Sequence, residues 1–317
     1  MSHEPVFGIP PDLVRGPSAD VLPLAGEANW GMEVFGVNAL RDAGHDGDGI
    51  KLGVVDTGID RGHPLLTNVI EAYDFTGDGP GDRNGHGTHV SGTSGGTRNG
   101  AITVATGAQL IHAKGLSDSG SGSMTWLLNA MRKCVDRGCE VLSCSWGGGG
   151  LDAATERFLK ELDDAGIWAV FAGGNSGPNT PDTDAPGVSL HVPNVAALNR
   201  DLTPASFSSA GAKIDTSGPG VGIWSTKPGG GFQQMSGTSM ATPFVAGLLA
   251  CYRGALKKLG LPIPKVAELR ELLFTRSTDT HTPGDDRRTG PGWITPLLLS
   301  INLNPDPPLP EGGPLKP

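Results

Sequence analysis

Four polar side chains in this sequence have the chemistry of an acyl-transfer site. Asp56 ends the apolar run "LGVVD", His86 lies in "NGHGTHVSGT", Asn175 follows "VFAGG" and Ser239 stands in "GTSMATP". A serine hydroxyl is a weak nucleophile unless a neighbouring imidazole takes its proton. That imidazole needs an anion on its second nitrogen, and a tetrahedral oxyanion needs fixed N–H donors. Together the four residues predict a nucleophile, a base, its orienting carboxylate and an oxyanion donor.

Ser239 stands where an apolar helical pattern begins, within residues 233–247, "QQMSGTSMATPFVAG". Alone, a serine at this point is typical of an N-cap, and an isolated Asp, His or Asn is typical of a turn or a buried polar position. Beside the other three residues, the helix start has a chemical purpose. Its dipole and free N–H groups favour developing negative charge, and Gly237 allows close approach of the backbone.

The elements that must position these residues are apolar runs of strand length and amphipathic helices. Strands are predicted at 50–56, 68–75, 108–116, 139–146, 167–174 and 192–198, and helices at 124–138, 151–166, 239–259 and 265–274. Their alternation indicates βαβ units, and hence an α/β fold with a mostly parallel central sheet and helices on both faces. Sites in such sheets lie beyond the carboxyl ends of the strands, where Asp56 and Asn175 fall.

Length and composition are those of a packed domain. The chain has 317 residues, of which 50 are glycine and 26 are proline, and its formal net charge is −9. The glycines separate strongly apolar runs, so we interpret them as tight turns and points of close backbone approach. The negative charge argues against nucleic-acid binding through phosphate contacts, and no apolar run reaches the roughly 18 residues of a membrane span. We expect an extended arm over 1–29 and a disordered, proline-rich tail over 300–317.

Three segments carry a resemblance to a known family: "VVDTGID", "NGHGTHVSGT" and "GTSMATP". They resemble the signature blocks of the subtilisin-like serine proteases, in that family's Asp, His, Ser order. The similarity extends over 30–299 and includes "SCSWGGG", "PASFSSAG" and "GPGWITP". It implies a three-layer subtilisin-like catalytic domain over 30–299 and serine endopeptidase activity. It also implies that Asp56, His86 and Ser239 are the triad and that Asn175 is the oxyanion donor.

The same resemblance implies where a peptide substrate binds. Two segments are expected to clamp the peptide backbone as edge strands, so that the substrate adds a β-strand. They are Gly120, Ser121 and Gly122, and Ser145, Trp146 and Gly147. The segment "TDAPG" resembles the loop at the base of the S1 pocket, which puts Asp184 there and predicts attraction of an Arg or Lys side chain. The alternative is that Asp184 is a solvated loop residue and that Trp146 selects bulky apolar side chains.

The catalytic chemistry requires no cofactor, but the resemblance raises the question of structural calcium. Family members often carry "HPDL", whose aspartate ligates calcium; this chain reads "HPLL", and Leu65 cannot coordinate a hard cation. We expect that high-affinity site to be lost. A different calcium ion could bind the acidic loop in "YDFTGDGPGDRNGHG", through Asp74, Asp78 and Asp82, and a solvated acidic loop is the alternative.

The compartment is argued from the first residues and the cysteines. The start, "MSHEPVFGIPPDLVRG", has neither a basic n-region nor an apolar h-region, so no secretory signal is expected in this chain. Its cysteines lack metal-type spacing, which favours reduced core thiols; they are Cys134, Cys139, Cys144 and Cys251. The segment before residue 30 is too short for the chaperone domain of secreted subtilisins and resembles the short extension of intracellular ones. We favour a cytoplasmic protein, with a mature secreted form as the alternative.

Two other function classes fit parts of the pattern. A pseudo-protease would bind peptide through the same edge strands without cleaving it, and the intact set of four polar residues argues against that reading. An esterase of the α/β-hydrolase type would need Ser, Asp and His in that chain order, with the motif G-x-S-x-G. The segment "GTSMA" at 237–241 lacks the final glycine.

Overall fold

The computed structural model describes residues 6–9, 13–20, 29–97 and 102–293. Within these ranges the chain forms one large sheet, two small sheets and seven helices. The strands are β1 Val6–Gly8, β2 Val14–Ala19, β3 Lys51–Asp56, β4 Val69–Asp74, β5 Gln109–Lys114, β6 Ser121–Ser123, β7 Val141–Cys144, β8 Trp168–Ala172, β9 Asn194–Leu198, β10 Thr216–Pro219, β11 Ile223–Lys227 and β12 Gly231–Ser236. The helices are α1 Gly31–Val34, α2 Val37–Asp42, α3 His86–Gly95, α4 Met124–Asp136, α5 Ala153–Asp164, α6 Thr238–Leu259 and α7 Val266–Arg276.

The large sheet has seven strands, all parallel, in the order β10-β9-β8-β7-β3-β5-β4. Its inner strands are apolar along nearly their whole length because both faces are covered. Every residue of β8 is buried, as is every residue of β3 after Lys51. Successive side chains of β3 serve opposite faces, with Val54 in one apolar cluster and Val55 in the other. The predicted α/β fold with helices on both faces is confirmed.

Different helices cover the two faces. Leu127 of α4 and Phe158 of α5 belong to one apolar cluster, whereas Val90 of α3 and Phe244 of α6 belong to the other. All residues of α6 from Thr238 through Leu256 are buried, so this helix passes through the interior. A helix that is buried on every side is mostly apolar or small-residue on every side, and the one charged residue in the buried part of α6, Arg253, is paired with Glu140.

Helix α3 was not predicted, because its sequence "HGTHVSGTSG" is rich in glycine and β-branched residues, which are poor helix formers. It forms because its small side chains permit close packing, and every residue from His86 to Gly95 is buried. A Cβ at Gly92 would lie 2.2 Å from Thr226 Oγ1, and one at Gly95 would lie 2.7 Å from Leu110 Cδ2. Tertiary contact here outweighs local propensity.

The described parts of the N-terminal arm are extended, as predicted, but they are also paired. Strand β1 pairs antiparallel with β6, and β2 is the outer strand of the antiparallel sheet β11-β12-β2. The arm therefore belongs to the folded structure on both sides of residues 10–12. The tail expected over 300–317 lies outside the described residues, and the domain boundaries stay predictions.

Two general expectations can be compared with the fold. None of the helices within the described ranges is long and apolar enough to cross a membrane. All four cysteines are free and buried, in agreement with reduced core thiols. Burial raises the pKa of Cys144 well above its usual value and that of Cys251 to about 12, so both stay protonated and unreactive.

Candidate active site

The strand order of the large sheet changes direction between β3 and β7, since β3 continues to β5 and β4 on one side while β7 continues to β8 on the other. Parallel α/β sheets bind ligands in the crevice at such a switch point, beyond the carboxyl ends of the strands. Asp56 is the last residue of β3, Ser145 comes directly after β7, and Asn175 follows β8 closely. These three predicted residues thus share one end of the sheet.

Asp56 and His86 form a buried pair. His86 Nδ1 lies 2.7 Å from Asp56 Oδ1, and neither side chain is exposed. Because a carboxylate only accepts hydrogen bonds, Nδ1 carries the proton and donates it. The other ring nitrogen, Nε2, is buried without a hydrogen-bond partner in the described part of the chain. The ring is therefore held in the tautomer that leaves Nε2 able to accept a proton.

Asp82 connects the end of β3 to the helix that carries His86. Its carboxylate accepts hydrogen bonds from Thr57 Oγ1 at 3.0 Å and from Thr88 N and Oγ1 at 2.8 and 2.6 Å. Thr57 Oγ1 in turn accepts the Gly87 N–H at 2.9 Å. An anion at the start of α3 also satisfies N–H groups that have no partner within the helix. Asp82 thereby fixes the position from which His86 reaches Asp56.

Asn175 is oriented by Thr238, the first residue of α6. Its Oδ1 accepts the Thr238 N–H at 2.9 Å and the Thr238 hydroxyl at 2.8 Å. Since both donors require an oxygen, the amide orientation is determined and Nδ2 faces the opposite way. Nδ2 is buried and has no acceptor among the residues described. A Cβ at Gly237 would lie 3.1 Å from Nδ2, so this free donor faces the turn just before Ser239.

Ser239 is the second residue of α6 and exchanges two hydrogen bonds with Ser145. Ser239 Oγ donates to the Ser145 carbonyl at 3.2 Å, and Ser145 Oγ donates to the Ser239 carbonyl at 3.0 Å. The Ser239 carbonyl is available because Pro243, four residues later in the helix, has no N–H to offer it. The start of α6 is therefore attached directly to the segment after β7.

The two predicted edge segments flank the N-terminal strand. Val6, Phe7 and Gly8 pair with 121–123, and Gly8 also forms an antiparallel bridge with Gly147. The Gly8 N–H donates to the Gly147 carbonyl at 3.1 Å, and the Gly147 N–H donates back at 3.2 Å. Strand β1 thus lies between the segments at 120–122 and 145–147, in the manner predicted for a substrate.

Side chains of the arm fill the space beside these segments. Phe7 is buried, with its ring edge-on to Trp146 at a centroid distance of 6.5 Å. A Cβ at Gly120 would lie 3.2 Å from Ile9 Cδ1, and a Cβ at Gly237 would lie 3.1 Å from Leu13 Cδ1. Ile9 therefore lies on the side of the edge strands, and Leu13 on the side of the turn before Ser239.

Asp184 lies against two glycine positions at the site. A Cβ at Gly147 would lie 2.8 Å from Asp184 Cβ, and a Cβ at Gly174 would lie 2.5 Å from Asp184 Oδ2. The Asp184 side chain is half-buried, and burial raises the pKa of its carboxyl group. Trp146, the alternative specificity residue, is fully buried and packs edge-on against Phe171 at 5.0 Å.

The three aspartates suggested for calcium have separate hydrogen-bond partners. Asp74 accepts from Thr76 and from two glycine N–H groups of its own turn, and Asp78 accepts the Asp118 N–H at 3.0 Å. Asp82 holds the start of α3, as described above. Over the described ranges, no group of three or more His, Cys, Asp or Glu side chains is arranged to hold a metal ion. Calcium binding by this loop stays a prediction.

Three further buried polar side chains hold the chain segments around the site through hydrogen bonds. His112 Nε2 accepts the Gly58 N–H at 3.2 Å, and burial lowers the pKa of His112 to about 4. Burial likewise lowers the pKa of His89 to about 3, and its Nε2 meets the carbonyls of β11 and β12. The Lys114 ammonium group, fully buried, contacts the Thr57 carbonyl and Asp118. Both histidines are neutral at pH 7 and structural.

Comparison with known proteins decides the family. Residues 47–292 match the Subtilase family of peptidases. The chain belongs to this family. The recognition made from the three signature segments is thus confirmed.

Relatives of this subtilase include named proteases. Subtilisin E of Bacillus subtilis (strain 168) is 36% identical over 229 residues, which are 70% of this chain and 60% of that protein. The intracellular serine protease of Paenibacillus polymyxa is 38% identical over 216 residues, 64% of this chain and 66% of that protein. The subtilisin of Bacillus pumilus is 36% identical over 229 residues, 70% of this chain and 82% of that protein. The chain thus spans less than two thirds of the first two relatives.

Sequence reasoning did not find several residues of this subtilase site. Thr57 and Thr238 position the pair Asp56–His86 and the amide of Asn175, yet each stands next to a residue that was singled out. Asp82 was considered only as a calcium ligand. Its position just before the first turn of α3 was the available signal, but it required knowing that "HGTHVSGTSG" is a helix.

Proposed function

We propose that this subtilase is a serine endopeptidase with Ser239 as nucleophile, His86 as base, Asp56 as its orienting carboxylate and Asn175 as oxyanion donor. The observation that carries the proposal is the tautomer of His86, whose Nδ1 is bonded to Asp56 while Nε2 is buried and unpartnered. His112, by contrast, has both ring nitrogens bonded, to the Gly58 N–H and to Ser91, and neither of them meets a carboxylate. The carboxylate bonded to one ring nitrogen, together with a free second nitrogen, is the arrangement of a general base.

The reaction follows from this arrangement. Ser239 Oγ forms a bond to the carbonyl carbon of the scissile peptide while its proton passes to His86 Nε2, and Asp56 stabilises the imidazolium. The intermediate then collapses, the C–N bond breaks, and the amine leaves with the proton from Nε2. Water repeats the sequence on the acyl-enzyme. For attack, the Ser239 hydroxyl leaves the Ser145 carbonyl, its partner at rest; such bonds rearrange when substrate binds.

The negative charge that develops on the carbonyl oxygen needs donors that are already in place. Asn175 Nδ2 is a donor of this kind, because Thr238 holds the amide by its oxygen and leaves the nitrogen unpartnered. The first N–H groups of α6 are further donors, since the first turn of a helix has no internal acceptors for them. A preorganised donor of this type acts mainly in the transition state.

Substrate binding as an added β-strand is supported by β1. This segment of the chain itself makes the backbone hydrogen bonds that a bound peptide would make with Gly147 and with 120–122. Its Phe7 side chain contacts Trp146, which indicates an apolar subsite for the corresponding residue of a substrate. A peptide substrate must therefore displace β1 before it can bind.

Covalent labelling of Ser239 by a fluorophosphonate tests the proposal. We compare the full chain with the variants Gly8→Pro and Ser239→Ala. Proline at position 8 removes the N–H that donates to Gly147, and even a Cβ there would lie 2.8 Å from the Gly120 carbonyl oxygen. This change opens the cleft without altering a catalytic group. We expect labelling of the full chain, faster labelling of Gly8→Pro, and none of Ser239→Ala.

Absence of labelling in both the full chain and Gly8→Pro would contradict the proposal and favour a protein that binds peptide without cleaving it. Labelling together with cleavage of ester substrates only would favour an esterase. We further propose a cytoplasmic location, which is supported by four free, buried thiols. Fractionation of the source cells with an antibody against the chain tests the location, and recovery from the medium would contradict it.

A further inference from the structure

The carboxylate of Asp184 has no hydrogen-bond donor and no cation paired with it anywhere in the described ranges, although its side chain is half-buried. Burial is the sole cause of the raised pKa of this carboxyl group, and no neighbouring charge contributes to it. Removing a carboxylate from water without a partner costs free energy. A half-buried carboxylate without a partner beside a cleft is a candidate site for a cationic ligand.

The backbone around Asp184 is held firmly on both sides. The Asp184 N–H donates to the Gly173 carbonyl at 3.0 Å, and the Ala185 carbonyl accepts the Gly148 N–H at 3.0 Å. The neighbouring Thr183 hydroxyl accepts from Asn194 Nδ2 at 2.7 Å. The carboxylate is therefore presented from a rigid position and does not belong to a solvated loop.

Two glycines make room for this carboxylate at the cleft. Gly174 has φ = 101°, a conformation that favours glycine, and directly precedes the proposed oxyanion donor Asn175. Gly147 exchanges backbone hydrogen bonds with β1 in the cleft. A side chain at either position would collide with Asp184. The carboxylate thus lies beside both the strand that receives a peptide and the group that receives the carbonyl oxygen.

We propose that Asp184 is the specificity-determining residue of the S1 subsite and selects peptides with Arg or Lys immediately before the scissile bond. The inference rests on the proposed endopeptidase function. The side chain of the residue whose carbonyl faces Asn175 enters the space beside Gly174 and Gly147, where the Asp184 carboxylate lies. A cationic side chain there restores the missing partner, whereas an acidic one adds like-charge repulsion.

The competing reading, in which Trp146 selects a bulky apolar side chain at the same subsite, is disfavoured by the ring's position. Its indole packs against Phe171 and Phe7, and it is fully buried while β1 lies in the cleft. Trp146 therefore contacts the residue of the bound strand that Phe7 represents.

A series of chromogenic peptides tests the proposal. Each has the sequence Phe-Gly-Ile-X, copied from the strand at 7–9, followed by a p-nitroanilide group, with Arg, Lys, Phe, Leu or Glu as X. The enzymes are the full chain, Asp184→Asn, and Asp182→Asn as the matched control, since Asp182 is exposed and bonded to its own neighbour Thr183. Strand β1 competes equally with every peptide, so the ratio of kcat/KM values isolates the residue X.

We expect Arg and Lys to be preferred by the full chain and by Asp182→Asn. In Asp184→Asn, kcat/KM for Arg should fall about tenfold or more, roughly 1.4 kcal/mol of transition-state binding. For Phe and Leu peptides, kcat/KM of Asp184→Asn should stay within about twofold of the value for the full chain. A merely structural role of Asp184 would lower kcat/KM for all peptides alike. A preference for Phe or Leu that survives in Asp184→Asn, or an equal loss of Arg cleavage in Asp182→Asn, would overturn the proposal.

Fluorophosphonate labelling of the same preparations separates this proposal from the proposed function. Normal labelling without any preference for Arg or Lys would refute the role of Asp184 and leave the endopeptidase intact. Loss of labelling in the full chain and in Gly8→Pro would refute both. Thermal unfolding of Asp184→Asn should occur at an unchanged or higher temperature, because the change removes an unpartnered charge.

Discussion

Asp56 and Asp184 are two aspartates at the same end of the sheet, and they are held in opposite ways. Asp56 is fully buried, and its Oδ1 is bonded to His86 Nδ1 and to the Thr57 N–H, while Oδ2 has no hydrogen-bond partner among the described residues. Asp184 is half-buried and its carboxylate has no partner in the described part of the molecule. A group that must hold one geometry during a reaction is bonded from several directions. A group that must recognise a ligand is left open towards it.

The largest loss of activity should come from replacing the residues that are proposed to act together with Asp56. Ser239→Ala and His86→Ala should each lower kcat by about six orders of magnitude, a size taken over from subtilisin, because triad residues act as a unit. Hydrolysis of an Arg peptide, with circular dichroism as the check on folding, measures the loss. A folded Ser239→Ala protein that retained normal activity would contradict the assignment.

The next largest effect concerns Asn175, the proposed oxyanion donor. Asn175→Ala should lower kcat by about 100- to 1000-fold, again the size known for subtilisin, with little change in KM, because the donor acts in the transition state. Steady-state kinetics separate the two constants. Asn175→Asp is the matched variant, since it keeps the oxygen that meets Thr238 and loses the N–H. An increase in KM at constant kcat would argue for a role in substrate binding instead.

The pH dependence of the preference for Arg over Phe tests the role proposed for Asp184 separately from that of Asp56. Burial raises the pKa of Asp184, so its charge is present above that raised pKa and is lost as the pH falls through it. The ratio of kcat/KM for Arg to that for Phe should therefore fall at acidic pH, at a higher pH than for an ordinary aspartate. A change in the proposed catalytic groups would affect both substrates alike and cancel in the ratio. In Asp184→Asn the ratio should not depend on pH; a ratio that still falls would point to another group.

The smallest effect is expected from chelation. Leu65 stands where family members often carry the aspartate of "HPDL", so EDTA should lower the melting temperature less than it does for a typical secreted member measured in parallel. Any remaining decrease should disappear when Asp74, Asp78 or Asp82 is changed to Asn. For Asp82 the variant also loses the bonds to Thr88, so its activity is measured as well. A large EDTA effect that is insensitive to all three changes would contradict this account.

Periodicity and turn residues allowed the core elements to be predicted, because strands buried on both faces and amphipathic helices have distinct patterns. The helix expected over 151–166, for instance, is Ala153–Asp164. Helix α3 could not be predicted, since its stability comes from glycines packed against Thr226 and Leu110, far away in sequence. The contacts of the site were unpredictable for the same reason. Thr238 meets Asn175 across 63 residues, and Ser145 meets Ser239 across 94.

Ser145 lies in the segment that pairs with β1 and is also hydrogen-bonded to Ser239. It begins the segment 145–147, whose Gly147 pairs with β1, and it exchanges two hydrogen bonds with Ser239, one of them through the Ser239 carbonyl that Pro243 leaves free. A peptide that pairs with Gly147 therefore acts on the same short segment that holds the nucleophile. Binding free energy released two or three residues from the scissile bond can thus be used in the chemical step. If the proposed function holds, kcat should therefore fall when a substrate is trimmed from its amino end, even at saturating concentration.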